Sequence, residues 1–421
     1  MRSLRFLLSV ILFITITFSC TAPDEEVQYG EATRELIALL DSNVELKGLV
    51  ESSLAKAKAI NSDPNTNPAQ NLEEYYRFVS WAETTVPWAL LKKEEYPEIF
   101  DHIFQGLCAF YFLIDQPLPE LEGKGLVNNS LQYYGPFAEW LVTFSKSWGS
   151  YLDTEDSWNE SYYEMALNDP NFGLQNGWYE DPSNWNTFND FFARYLKSPN
   201  ERPIANPETD SIVASFADSE PQGVWAIDSS SMLVDKDGIL VKSARLRSIV
   251  NLIGEESEYK DAFANGTFTH SFLNVNDYHR YHFPMGGTIK EARIIQGINP
   301  TGGELSWDNE SNQYVFNPTA KTGWQTVETR GCVILETENY GLVALLPIGM
   351  VVVGSVNFES NVVPGAKVKK GDMLGHFAFG GSDFIMIFQE GVQFTLDAPM
   401  KEDGSSYKHL LMGERLGILS K

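Results

Sequence analysis

The sequence predicts an α+β chain, an all-helical N-terminal domain followed by a mainly antiparallel β domain. Three observations carry that reading. In the first third, apolar residues recur every three to four positions, as one face of a helix requires. Beyond Ser211 the texture changes to short β-branched and aromatic runs cut by Gly, Asn and Asp turns. At 421 residues, 43% of them hydrophobic, the chain is too long for one ordinary domain and can bury a sizeable core.

The chain opens on a short basic stretch, Met1-Arg2-Ser3-Leu4-Arg5, and an apolar run over 6–18 that is too short to span a bilayer comfortably. It closes with Thr17-Phe18-Ser19-Cys20. A cysteine directly after a small residue there resembles a bacterial lipoprotein site. Residues 1–20 would be the signal peptide, Cys20 the lipidated new N-terminus and the acidic stretch 21–31 a tether. The expected location is the bacterial cell envelope, held at the membrane by the lipid on the periplasmic or outer face. A cleaved secretory signal and a retained anchor are the alternatives.

Residues 32–180 form the expected helical domain. Leu36, Leu39, Leu40, Val44, Leu46, Leu49, Val50 and Leu54 keep near-helical spacing. A polar linker follows at 61–70. Further helices are expected over 72–93, kinked or broken at Pro87, and over 98–114. The dense aromatics, among them Tyr75, Tyr76, Phe78, Trp81 and Trp88, read as core, with a pocket wall or lipid contact as the alternative. Another helix is expected over 185–196. Residues 181–421 form the second domain, with strands at 239–242, 271–273, 314–316, 333–335 and 342–346, then strands joined by tight turns over 351–379.

Lys and Arg total 31 against 57 Asp and Glu, a net charge of −26. Phosphates would be repelled, so no nucleic acid partner is expected. Cys108 and Cys332 fall in different domains and read as two buried free thiols rather than a disulfide.

The chemistry concentrates in three places. Ser382 follows two glycines in Phe379-Gly380-Gly381-Ser382-Asp383-Phe384. Gly381 has no side chain to shield its carbonyl, so a serine hydroxyl in a strained turn could attack it and shift the peptide to an ester. A base must accept the serine proton. His279 and His282, two of six histidines, lie three apart in Asp277-Tyr278-His279-Arg280-Tyr281-His282-Phe283-Pro284. On a strand they would point to opposite faces; in a loop both could face one cavity. A metal held by Asp277, His279 and His282 is the rival reading; no further His/Cys cluster supports it, and no metal is expected. Asp218, in Ala217-Asp218-Ser219, would by itself read as turn chemistry. A Ser-His-Asp hydrolase is a second enzyme class, but no Gly-x-Ser-x-Gly elbow surrounds Ser382. An uncleaved, non-catalytic lipoprotein binding module is a third reading.

Taken in this order, the pieces resemble the pyruvoyl-dependent phosphatidylserine decarboxylase family from about residue 187 to the C-terminus. Phe188-Asn189-Asp190-Phe191-Phe192-Ala193-Arg194 and Arg202-Pro203-Ile204 look like its entry motifs. Tyr278 to Pro284 matches Tyr-His-Arg-x-His-x-Pro, and 371–377 leading to Gly380-Gly381-Ser382 matches the approach to its cleavage site. Phe216, Ser219 and Asp383 depart from the Pro, Gly and Thr or Ser more usual there. The resemblance implies self-cleavage between Gly381 and Ser382, driven by Asp218, His282 and Ser382. It implies a covalent pyruvoyl group made from Ser382, with neither pyridoxal phosphate nor metal, and His279 as the acid that protonates the substrate. The activity implied is conversion of phosphatidylserine to phosphatidylethanolamine and CO2 through a Schiff base. The cleaved C-terminal fragment stays as a partner, and a homodimer is implied. Thr329-Arg330-Gly331 and Leu346-Pro347-Ile348-Gly349-Met350 look more like the branch containing fungal tryptophan decarboxylases. On that likeness the substrate would be a free amino acid instead. His102, His270, His376 and His409 read as structural.

Overall fold

The apolar periodicity of the first third resolves into packed helices, and the β-rich remainder into antiparallel sheets. The computed structural model describes residues 28–234, 248–301, 303–318, 324–350 and 355–421. Cys20, the segment before it, most of the tether and the strand expected at 239–242 lie outside the described residues.

The helices are α1 (Glu31–Ser42), α2 (Val44–Ile60), α3 (Leu72–Ala82), α4 (Pro97–Ile114), α5 (Gly135–Leu152), α6 (Glu160–Asn168), α7 (Phe188–Phe192) and α8 (Ile249–Ile253). Asn43 separates α1 from α2 because its side chain accepts the Leu46 N–H and caps the second helix. The helix expected over 72–93 is shorter. It ends at Ala82, where Thr84, Thr85 and Val86 are β-branched and Pro87 disfavours helical backbone before it. Glu83, at that end, turns its buried carboxylate to the N-terminus of α1 and accepts from the Ala32 and Thr33 amides at 3.0 and 2.8 Å. The helix expected over 185–196 is only the five residues of α7. Beyond it the Arg194 guanidinium is drawn inward to the carbonyls of Phe172, Asn276 and Asp277, which a continuing helix would not allow.

The strands are β1 (Ile212–Ala214), β2 (Glu220–Ile227), β3 (Leu233–Val234), β4 (Thr267–Leu273), β5 (Arg280–His282), β6 (Gly287–Ile295), β7 (Gly303–Asp308), β8 (Gln313–Pro318), β9 (Thr329–Thr337), β10 (Gly341–Met350), β11 (Val356–Phe358), β12 (Lys367–Val368), β13 (Met373–Phe377), β14 (Gly381–Phe388), β15 (Gln393–Leu396) and β16 (Arg415–Ser420). An eight-stranded antiparallel sheet runs β12-β6-β9-β10-β14-β4-β2-β3. Smaller sheets are β11-β13-β5, β1-β16-β15 and the hairpin β7-β8.

Alternation along β14 divides the interior. Phe384, Met386 and Phe388 face a large core, while Ile385 and Ile387 face a smaller one beneath α8. The large core is continuous with the helices: Leu36, Phe110, Phe144, Trp148 and Phe188 belong to it with Phe384. The hairpin β7-β8 docks on α4, where Gln105 bonds both the N–H and C=O of Tyr314. Cys108 and Cys332 are both buried and free.

Glu328 sits at this junction, fully buried, with neither carboxylate oxygen hydrogen-bonded among the described residues. Burial raises its pKa well above the carboxylate range, so the folded chain holds it neutral. The unfolded chain ionises it above about pH 4.3, so its effect on folding turns unfavourable as pH rises past that value. Glu328→Gln is therefore expected to raise the unfolding temperature relative to wild type by a margin that grows from pH 5 to pH 8. A margin constant with pH would show that Glu328 ionises freely in the folded protein.

Candidate active site

Ser382 lies near the start of β14, the strand paired with β10 on one side and β4 on the other. Its register partners are Gly349 and Leu273. It is completely buried, and its Oγ has no hydrogen-bond partner among the described residues. An unpaired buried hydroxyl costs free energy, of order 1–3 kcal/mol, and is commonly a sign of function. Gly380, just before the strand, has φ +153, a backbone conformation that glycine tolerates best.

His279 stands in the loop that leaves β4 immediately after Leu273, across from Ser382 in register. Its carbonyl accepts the Phe377 N–H, which ties that loop to the segment approaching Ser382. The imidazole stacks on Phe192 with ring centroids 3.9 Å apart. Nδ1 lies 2.9 Å from the Asp277 carbonyl, which can only accept, so Nδ1 carries the proton. Nε2 keeps its lone pair and has no partner among the described residues. Burial, reinforced by the Arg194 charge, pushes the pKa down to about 3.

His282 ends β5. Its Nδ1–H donates to the Gly371 carbonyl at 2.9 Å, and its Nε2 accepts from the Tyr278 hydroxyl at 3.1 Å. Gly371 has φ +89, and a Cβ there would stand 2.7 Å from Ile204, so only glycine offers this carbonyl without strain. Burial pushes the His282 pKa down to about 4, while Asp218 pulls it the other way by favouring the charged form. Asp218 is buried and held by Arg202 through two bonds, Nε to Oδ1 at 3.1 Å and Nη2 to Oδ2 at 2.7 Å, with the Met412 N–H on Oδ1 at 2.7 Å. Arg202 in turn lies 4.3 Å from the Trp178 ring. No hydrogen bond among the described residues joins Asp218, His282 and Ser382 to one another. The Asp277 carboxylate, offered by the sequence as a metal ligand, instead meets His409 at 3.0 Å and the Asn274 N–H at 2.8 Å. Among the described residues no group of three His, Cys, Asp or Glu side chains could hold a metal ion.

Several site residues escape the sequence reading. Tyr278 reads as part of a motif, not as the partner of His282. Asn189 links the helical part to the segment that enters β14: its Oδ1 accepts the Phe379 N–H at 3.0 Å and its Nδ2 donates to Asp153 at 2.8 Å. His270 reads as structural, yet it bonds the buried Asp383. The available signal was the aspartate itself, placed before Phe384-Ile385-Met386-Ile387-Phe388, where a buried carboxylate demands a partner. A cavity of about 720 Å³ opens between α5 and the β11-β13-β5 sheet, with Lys146, Asp153, Asn189, Arg280, Asn357 and His376 on its walls.

Similarity to known proteins specifies the class of this chain as a decarboxylase, a carboxy-lyase. The family described as phosphatidylserine decarboxylase matches residues 188–418, more than half of the chain. The chain belongs to the phosphatidylserine decarboxylase family. Among its relatives, phosphatidylserine decarboxylase proenzyme 2 of Oryza sativa subsp. japonica is 34% identical over 248 residues, 58% of this chain and 36% of the rice protein. Decarboxylase iboD of Amanita muscaria is 28% identical over 309 residues, 67% of this chain and 84% of the fungal one. The phosphatidylserine decarboxylase proenzyme of Clostridium kluyveri is 29% identical over 277 residues, 65% and 84%. The matched region thus spans about a third of the rice relative and most of the other two.

Arg202→Met leaves Asp218 as a buried carboxylate without its counter-charge. The expected cost is about 3–5 kcal/mol, read as a lower denaturant midpoint. An unchanged midpoint would show that water reaches Asp218.

Proposed function

We propose that this chain is a self-processing, pyruvoyl-dependent decarboxylase acting on phosphatidylserine. The observation that carries it is Ser382: buried, with an unpartnered hydroxyl, directly after Gly380-Gly381 and across the strand pair from the root of the His279 loop. Oγ attacks the Gly381 carbonyl carbon, the Gly381–Ser382 C–N bond breaks and an ester replaces it. Elimination frees the Gly381 carboxylate, and water then replaces the nitrogen of residue 382, which departs as ammonia. The residues fit the group so formed: Asp383 would carry it covalently, with Gly349 and Leu273 beside it. When present, it would supply a carbonyl with which a substrate amine condenses, releasing water, and which then draws off the electron pair left when CO2 departs.

The other roles fall to side chains already in place. His282 is the proposed base for the Ser382 proton, and Asp218 favours its charged form. Tyr278 occupies the Nε2 lone pair of His282 in the uncut chain and must turn away first. His279 is the proposed proton carrier in decarboxylation. Its Nδ1–H is anchored on Asp277, which leaves Nε2 to take up a proton and pass it to substrate carbon. A neutral resting state suits this role, because negative charge arriving with the substrate raises the proton affinity of Nε2.

Phosphatidylserine is the substrate named for two of the relatives cited above. A lipid on Cys20, as the sequence suggests, would place the enzyme at the surface where such a substrate lies. One observation favours a second reading, decarboxylation of a free amino acid. The cavity next to the β11-β13-β5 sheet carries charged and amide side chains, Lys146, Asp153, Asn189 and Arg280, among its apolar walls, and these could hold the ionised groups of a small polar molecule. The relative iboD carries only the name decarboxylase.

Ser382→Ala should abolish the cut and His282→Ala should slow or stop it, followed as conversion of full-length chain to two fragments. Tyr278→Phe should speed it several-fold by freeing Nε2. His279→Ala should be cut normally yet release CO2 at a rate reduced about 10²-fold or more. Normal cutting in the Ser382 or His282 variant would contradict the role assigned to that residue. For the substrate, CO2 release is expected from phosphatidylserine vesicles; release only from free tryptophan, tyrosine or serine would install the second reading.

A further inference from the structure

The opposite face of β14 carries a second buried polar cluster. Asp383 is completely buried and points away from the Ser382 side, since neighbours on a strand alternate. His270 of β4 donates from Nδ1 to both carboxylate oxygens, at 3.1 and 2.9 Å. Gln325, in the turn before β9, donates from Nε2 to Oδ2 at 3.1 Å, and the Phe384 N–H donates to Oδ1 at 2.9 Å. Trp225 and Phe268 flank the His270 ring at 5.1 and 5.8 Å. None of these side chains has a part in the chemistry assigned above.

Cutting changes what holds residue 382. In the uncut chain it is tied on both sides, upstream through Gly381 and downstream through Asp383. Formation of the pyruvoyl group removes the Gly381 bond and the amide nitrogen of residue 382. The Asp383 amide is then the first backbone N–H of the new fragment, and strand ends fray unless anchored. A carboxylate fixed by three donors one residue from the reacting carbon is such an anchor. It reaches across to β4 and to the turn before β9, so it fixes residue 383 to elements that remain on the larger fragment.

We propose that His270, Asp383 and Gln325 form a positioning clamp that matters little for cutting and strongly for turnover, because it holds the reacting carbonyl in place once the upstream chain is gone. This rests on the reading of Ser382 as the cut site. The clamp residues are positioning residues and do not touch substrate.

The test compares His270→Leu, which removes the donor, with His270→Gln, which keeps an N–H. His270→Leu should be cut within about threefold of the wild-type rate yet lose about tenfold or more in kcat, with KM moving less than about twofold. His270→Gln should recover most of the loss. Amide hydrogen exchange over 383–388 gives a readout independent of activity. His270→Leu should speed exchange there in the cut protein, and much less in the uncut Ser382→Ala background. Equal acceleration in both backgrounds, a His270→Gln enzyme as slow as His270→Leu, or a wild-type kcat in His270→Leu would each overturn the clamp. If His270→Leu does not fold, Asp383→Asn, which keeps the size but loses the charge, is read by the same criteria. Should the wild-type chain itself remain uncut, the reading of Ser382 fails instead, and the two failures are told apart.

Discussion

The structure depends on the position of β14 between β10 and β4. A strand in the middle of an eight-stranded sheet is paired along both edges, so its register cannot slip without turning every side chain to the other face. That register puts Ser382 on the side of the large core and Asp383 on the side of the small one. The hydroxyl is thereby placed where water is excluded and where the His279 loop comes past. In such a setting a serine cannot satisfy its hydrogen bond cheaply, and its neighbours decide what it does.

Those neighbours share one electrostatic logic. His279 and His282 are both buried and both held neutral, each with Nδ1–H fixed on a backbone carbonyl. The Asp218 charge, which acts on His282, is itself neutralised by Arg202. The site therefore keeps little free charge before substrate arrives, and proton affinity is available at nitrogen lone pairs rather than stored as imidazolium. The helical part contributes through Asn189, which ties α5 to the segment entering β14, and through Trp148 and Phe188, which pack on Phe379. Its core is the same core that lies under Ser382.

Much of this was legible in the sequence. The change from helical to alternating texture near residue 211 is where the strands begin, and α2, α4, β4, β8, β9 and β10 fall on runs that periodicity marks. The misses have physical causes. The helix over 72–93 stopped early because three β-branched residues precede Pro87, and the one over 185–196 because Arg194 is pulled into the interior. Ser382, His279 and His282 stood out by residue type and spacing. The partners of His282 did not: Gly371 lies 89 residues away in sequence, and Tyr278, only four residues away, gives no local sign of the bond its hydroxyl makes. The His270–Asp383 pair spans 113 residues and shows only as a carboxylate placed before an apolar run.

The central claim is that Ser382 is consumed to make the catalytic group. Intact-mass measurement on the purified wild-type protein tests it most directly. The account predicts two chains, the smaller running from residue 382 to Lys421 and lighter than the unmodified peptide by the mass change of serine to pyruvoyl. A single unbroken chain, or a fragment beginning with an intact serine, would contradict it.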